Sequence, residues 1–585
     1  MAFLTFQKQN EGRHTSIYIT VARWGDLRDG RRGAIQRRFY VGRLAPDGTH
    51  VKLTKGIAGG ARVRVNVEQL RRKVAEADAV SDVQAWLRGL CAASAGAAPI
   101  PGGGIAPATA PGTDLVGQVH VLGTLARGLG LDRCLNAAFG EATGPALLYL
   151  AMHQIVRGEP LYLAHLWLAD LRLPEALARF DFSSPNLSRL MEATGRAESA
   201  RQAFYRSWMA ERHHPRALIY DLTSISTYAA DLEAAAFGHN RDGEPLPQEN
   251  LALVCDRHEG MPLFCRLVPG SVPDVVTLSL TAQMLRTLGL TESEFVLDRG
   301  FYSGSNVREL LLEGHHFTMG ALLSCRQSKE LLARHRARLD SPKRSIFHEG
   351  RSIRHIRDDW TVDMGRTARG TRRGPRTVAA HVFFDPRRHA DGVAALDERV
   401  FALEHRAAQE SFTTPAEARA WLAENARYLA SCLGTEDGPD GTVVVRRRPR
   451  AVATRTANIG YQVVICDTLD RDPVAVLADY RSRDRAEKLF DLFKNEDGQY
   501  RLRTGRQTVA EGRTFLAFLA LALRTELENR MRAGHLLRKL TVPEFLAEMG
   551  RIRAITLPDG NRVLREVTRR QREWLDAIGI APPRP

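Results

Sequence analysis

The sequence predicts a multidomain α/β protein built around a mixed β-sheet. Three observations carry that expectation. Five short apolar runs lie between residues 217 and 323, and helical periodicity separates the later ones. Residues 114–212 are rich in Leu and Ala at helical spacing. Before them, 92–113 (AASAGAAPIPGGGIAPATAPGT) is uncharged, Ala/Gly/Pro-rich and without periodicity, as a flexible linker is.

In chain order, SIYITVARW and IQRRFYVGRL read as strands around a turn at Asp29-Gly30, followed by a helix near 67–90. These make residues 1–91 an α+β domain. The helical domain spans 114–212, with Ser183-Ser184 as a helix start. From Ala217, ALIYDLTS, LALVCDR, MPLFCRLVPG, EFVLDRGF and HFTMGALL are five strands in order. His258-Glu259-Gly260 marks a hairpin between the second and third. Helices at 274–288 and 305–313 precede the fourth and fifth. Residues 213–323 therefore form the first part of the sheet domain. An inserted, mostly β domain follows at 324–460, with strand-like VAAHVFF and GTVVVRRRPR and a helix near 414–433. Residues 461–535 return to the sheet domain, including one regular helix over 473–495, and 536–585 is a C-terminal helical region.

At 585 residues with 44% hydrophobic side chains, the chain supports several cores, which excludes wholesale disorder. No apolar run approaches the roughly 18 residues of a membrane helix. The first ten residues lack the plan of a signal peptide. Seven cysteines without C-x-x-C give neither a disulfide framework nor a zinc ribbon, so a soluble intracellular protein is expected.

The formal charge is +16, unevenly spread. Residues 1–90 hold 17 basic and 8 acidic side chains, and 324–450 hold 25 and 17, while the remainder is nearly balanced. Two basic blocks make nucleic acid the first partner to consider. Only nine of the 83 basic residues are Lys. Genomic base bias accounts for Arg over Lys, but it does not account for the segregation.

Three carboxylates stand out. Asp221 lies inside the apolar first strand, where a buried charge needs a partner. Asp298 ends the fourth strand, where ligands of open α/β sheets bind, although a strand-end Asp capping a turn is the commoner case. In YRSRDRAEKLFDLFK, Tyr480, Arg483, Glu487 and Lys494 fall on one 60° arc of a helix turning about 100° per residue. Ala486, Leu489, Phe490, Leu492 and Phe493 form a core-facing stripe. Asp484 and Asp491 fall near the same arc, so periodicity alone does not select Glu487, and a solvated face with i, i+4 ion pairs fits the pattern too.

These residues resemble the DDE transposases of bacterial insertion sequences, in the group with a tyrosine-arginine-glutamate-lysine signature. Tyr480, Arg483, Glu487 and Lys494 match that spacing at every step. LDRGFYS resembles the group's second-aspartate motif and YDLTS its first, while GHNRDGEPLPQENLALV and LVPGSVPDVVTL resemble its intervening segments. The likeness covers about 215–323 and 460–525. It implies a ribonuclease-H-like catalytic core interrupted by a β-rich insertion. It also implies catalytic, metal-binding roles for Asp221, Asp298 and Glu487 with two Mg²⁺ ions, for which Mn²⁺ can substitute. By the same resemblance Tyr480, Arg483 and Lys494 contact the phosphates of a transposon end, and excision runs through a hairpin with a base flipped out. Arg299 and Tyr302, beside Asp298, and the Arg446-Arg447-Arg448 cluster are further DNA-binding candidates. Trp360 or Tyr302 would be the stacking group, with a core role as the alternative for each. The implied partners are double-stranded DNA (terminal inverted repeats and target) and a second copy in a synaptic homodimer, in a bacterial cytoplasm at the nucleoid. The alternatives are a ribonuclease-H-like nuclease without strand transfer, or an inactive DNA-binding derivative.

Other features have plainer readings. His213-His214 and His315-His316 lack a completing zinc spacing. Asp242 and Asp274 sit in turn-like segments. Cys255 and Cys265 are expected to be reduced, buried thiols facing each other across the hairpin.

Overall fold

The computed structural model describes five strands between residues 2 and 66. It also describes residues 113–584, apart from 214–216, 230, 239, 241–242, 291, 368, 439–440, 497–500 and 558–560. The chain divides into two compact units, Met1–Ala108 and Thr109–Pro585.

In the first unit β1 (Ala2–Gln9), β2 (His14–Asp26), β3 (Arg32–Leu44), β4 (His50–Leu53) and β5 (Arg64–Asn66) form one antiparallel meander in chain order. Both expected strands are present as β2 and β3, paired from Ser16↔Arg43 to Asp26↔Arg32 with a bulge at Ile17/Tyr18. The turn at Asp29-Gly30, the helix expected near 67–90 and the linker up to 112 lie outside the described residues.

The second unit opens with a short strand, β6 (Thr113–Leu115), paired with Arg553–Thr556 near the other end of the chain. Helices follow: α1 (Gly117–Leu129), α2 (Leu131–Arg157), α3 (Ala164–Leu168), α4 (Ser184–Arg196) and α5 (Glu198–Glu211). Ser183 stands at the start of α4, but its hydroxyl bonds Asp181 rather than the helix. These helices and the C-terminal helix Gln507–Ala533 share one core. Leu516, Phe518 and Leu523 of that helix are wholly buried with Leu122, Leu147 and Phe204.

The sheet begins with β7 (Ala217–Thr227), β8 (Gln248–Asp256) and β9 (Pro262–Pro269), an antiparallel run. The β8–β9 hairpin turns through Gly260, whose φ of +70° suits a residue without Cβ. Helix α6 (Asp274–Thr287) leads to β10 (Glu294–Leu297), and α7 (Gly304–Glu313) leads to β11 (His316–Ala321). Strand β10 lies parallel to both β7 and β11. The order across the sheet is thus β9-β8-β7-β10-β11.

The 324–460 segment departs from the expected β-rich insertion. After α8 (Arg326–Leu339), its strands β12 (Ser345–His348), β13 (Arg351–Val362) and β14 (Arg376–Phe384) extend the same sheet. They do so through β17 (Tyr461–Cys466), which lies antiparallel to β11. The rest is mainly helical: α9 (Pro386–Ala407), α10 (Pro415–Asn425) and α11 (Pro449–Thr456) surround one hairpin of β15 (Leu433–Asp437) and β16 (Val443–Arg447). That lobe has its own small core around Val400, Leu422 and Val445.

The sheet is covered on both faces, as the alternation along β17 shows. Val463 and Ile465 join the main core, while Val464 and Cys466 join a second cluster with Val476, Leu477 and Tyr480. Among the described residues, no helix is long and apolar enough to cross a membrane.

Candidate active site

Strand register brings the first two carboxylates together. Leu297, the last residue of β10, pairs with Tyr220 of β7, so Asp298 and Asp221 occupy the next position on neighbouring parallel strands. Asp221 is part-buried, and its Oδ1 accepts the Leu222 amide at 2.8 Å. Asp298 leaves the sheet into a single 3₁₀ turn, Arg299–Phe301, and keeps 32% of its side-chain surface exposed.

The third carboxylate lies on a segment that is not one regular helix. Helix α12 (Pro473–Arg481) packs over β10, β11 and β17, and α13 (Asp484–Asp491) packs over β7 and β8. At the join the Arg485 and Ala486 amides bond carbonyls three residues back, Ser482 and Arg483. Three-residue turns advance the chain faster than α-helical ones, and the Ser482 hydroxyl draws back to the Asp479 carbonyl at 2.6 Å. A π-helical turn, Leu492–Glu496, shifts the phase again. The expected common arc is therefore broken: Tyr480 and Lys494 are buried, Arg483 is part-buried, and Glu487 is exposed, as are Asp484 and Asp491.

The break falls where the segment passes Asp298. Arg483 Nη1 donates to Asp298 Oδ1, and the Tyr480 hydroxyl donates to the same oxygen at 3.1 Å. The guanidinium lies 4.7 Å over the Tyr480 ring. Burial pushes the Tyr480 phenol up to about 12, so it remains a neutral donor at physiological pH. Its ring rests on β11 at Gly320, where an added Cβ would overlap the phenol hydroxyl.

A four-membered ion network anchors α12 beneath this contact. Arg257 Nη1 lies 2.9 Å from Glu294 and 3.1 Å from Asp479; Arg471 Nη1 lies 2.6 Å from Glu294, and its Nη2 also pairs with Asp479. Asp479 directly precedes Tyr480, so the network sets where the tyrosine leaves the helix. Arg485 holds α13 to the hairpin turn by donating to the Arg257 and His258 carbonyls. Sequence reasoning missed these residues. Their partners lie more than 200 positions apart, and no local pattern announces them.

The remaining candidates divide. Arg299 is exposed beside Asp298. Tyr302 is half-buried and meets Trp360 edge to face, with ring centres 5.8 Å apart. Trp360 is 2% exposed, so it belongs to the core rather than to a stacking platform. Lys494, expected to face DNA, is 6% exposed because the π-turn directs that stretch inward. Arg446 and Arg447 end the exposed β16 and Arg448 precedes α11; Arg447 pairs with Glu404 at 2.6 Å and lies over Phe401. Register sets Cys255 against Pro262 and Leu253 against Cys265, so the two thiols do not face each other; both are free and buried. His315 is buried, His316 pairs with Asp467 at 2.6 Å, Asp274 begins α6, and His214 and Asp242 lie outside the described residues.

The donors have the hardness Mg²⁺ requires. Their arrangement does not make a metal site, because Asp298 Oδ1 already accepts two hydrogen bonds. Among the described residues, no three His, Cys, Asp or Glu side chains converge to hold a metal.

No protein-family model matches the chain, and no curated protein matches it. Among solved structures it aligns with piggyBac transposase in a synaptic complex with hairpin DNA. The alignment has 9% identity and a TM-score of 0.32, over 74% of this chain and 76% of that one, a similarity too low to establish a shared fold.

Proposed function

We propose that the chain is a DNA transposase that cleaves the ends of an insertion sequence and joins them to target DNA. The observation that carries this is the juxtaposition of Asp298 with Asp221 at one register position, with Tyr480 and Arg483 of the four-residue signature reaching Asp298. A generic nuclease needs carboxylates but has no use for the signature. Three antiparallel strands followed by two parallel ones, with the paired aspartates on the first and fourth, support a ribonuclease-H-like core.

Glu487, on the helix over β7, is the third carboxylate of the proposal. Mg²⁺, with Mn²⁺ as a substitute, enters through donor type alone. When bound, it would supply an activated water or 3′-hydroxyl and stabilise the leaving oxygen. Arg483 and Tyr480 supply donors for a phosphate of the transposon end. Exposed Arg299 and Arg446–Arg448 offer charge to the flanking duplex. Cut-and-paste excision through a hairpin, and a homodimer that brings two ends together, complete the proposal.

Incubating the protein and Mg²⁺ with DNA carrying the inverted repeats that flank its gene tests it. Cleaved ends joined to a target plasmid are expected. Cleavage without joining would instead assign a nuclease, and binding without cleavage an inactive derivative.

A further inference from the structure

Asp298 is assigned to a metal and Arg483 and Tyr480 to a phosphate, yet in the structure these groups satisfy one another. Both donors converge on Asp298 Oδ1. A cation approaching that oxygen meets a guanidinium, and like charges exclude each other there. We propose that Arg483 and Tyr480 form a latch that closes the carboxylate site until the phosphodiester backbone of DNA draws them off Asp298. The inference rests on the proposed metal role of Asp298 and adds a regulatory step before it.

The geometry favours exchange. Arg483 spends a single nitrogen, Nη1, on the carboxylate, and its Nε has no hydrogen-bond partner among the described residues. A phosphate can accept two parallel donors from one guanidinium, which the carboxylate pairing does not offer. Arg483 lies at the tightened turn between α12 and α13, so its release needs no change in either helix. Beside it opens a groove of about 680 Å³ lined by Arg351, Arg388, Arg481 and Arg483, with Asp385 and Asp484. That groove leaves room for the arginine to swing away from the sheet. Tyr480 is buried against Gly320 and stays in place, so Arg483 is the moving part.

Titration of the DNA-free protein with Mn²⁺, followed by electron paramagnetic resonance, tests the latch. Removing a hydrogen-bonded, charged competitor from Asp298 should tighten Mn²⁺ binding about ten- to hundredfold in Arg483→Ala and in Arg483→Gln. Adding Asp298→Asn to either variant should abolish the gain. By linkage, Mn²⁺ should raise the wild-type affinity for a random-sequence duplex, and this coupling should vanish in the Arg483 variants. Equal Mn²⁺ affinity in wild type and both folded variants overturns the latch while leaving the metal role standing. Absence of Mn²⁺ binding in all of them, with DNA or without, overturns the metal role itself.

Discussion

Tyr480 lies against the backbone of Gly320, so closely that any side chain at 320 would overlap the phenol that donates to Asp298. Packing between α12 and β11 therefore fixes where one donor to the aspartate stands.

Replacing Gly320 by Ala should push Tyr480 off Asp298 and destabilise the fold by about 1–3 kcal/mol, the usual effect of overfilling a packed core. In a Tyr480→Ala background the same replacement should be nearly neutral. Urea unfolding of the four proteins in a double-mutant cycle measures this. Strictly additive effects would mean that the two residues do not meet.

The ion network behind α12 should show coupling as well. Arg471→Ala and Asp479→Ala remove partners that touch directly, and their cycle should give an interaction of about 1–3 kcal/mol. Asp479→Ala should also slow end cleavage, because it loosens the residue that precedes Tyr480. Thermal unfolding and cleavage rates measured on the same preparations check both effects.

Glu249 gives the structure a pH dependence of its own. It is buried in β8, Gln507 donates to it at 2.8 Å, and burial pushes its carboxyl up to about 7. The folded state then holds a proton that the unfolded state has released. Stability falls as pH rises from the ordinary carboxyl range through about 7, by roughly 3 kcal/mol in all. Glu249→Gln should remove this slope and leave the variant more stable than wild type above that window. Denaturation midpoints across the range provide the measurement, and a wild-type profile flat over that interval would contradict the assignment.

The basic first unit should contribute affinity rather than chemistry. Deleting residues 1–90, with 17 basic and 8 acidic side chains, should weaken duplex binding and flatten its dependence on salt. The log–log slope should fall by about 0.9 for each phosphate that the unit neutralises. The unit from Thr109 onward should keep its own thermal transition. An unchanged salt slope would remove the first unit from the DNA interface.

Local pattern revealed the five strands of 217–323 and the helices before β10 and β11, because each announces itself within a dozen residues. It placed Asp221 and Asp298 on the right strands. The break between Tyr480 and Glu487 was not legible: Ser482 and Arg483 are tolerable helix residues, and only the hydroxyl bond to Asp479 and the passage from β10 to β7 displace the phase. The continuation of the sheet through β12–β14 was hidden for a different reason. Strand periodicity shows which face is buried, but it does not name the neighbouring strand, and β17, which joins β14 to β11, lies more than 75 residues further along the chain.

The claim that Asp221, Asp298 and Glu487 act together on a phosphodiester is tested most directly by single-turnover end cleavage. The proteins to compare are wild type, Asp221→Asn, Asp298→Asn and Glu487→Gln, each checked for an unchanged thermal transition and retained DNA binding. The account predicts that each substitution lowers the rate by about a thousandfold or more, an interaction loss of roughly 4 kcal/mol in the transition state. Cleavage at the wild-type rate in any one of the three would contradict it.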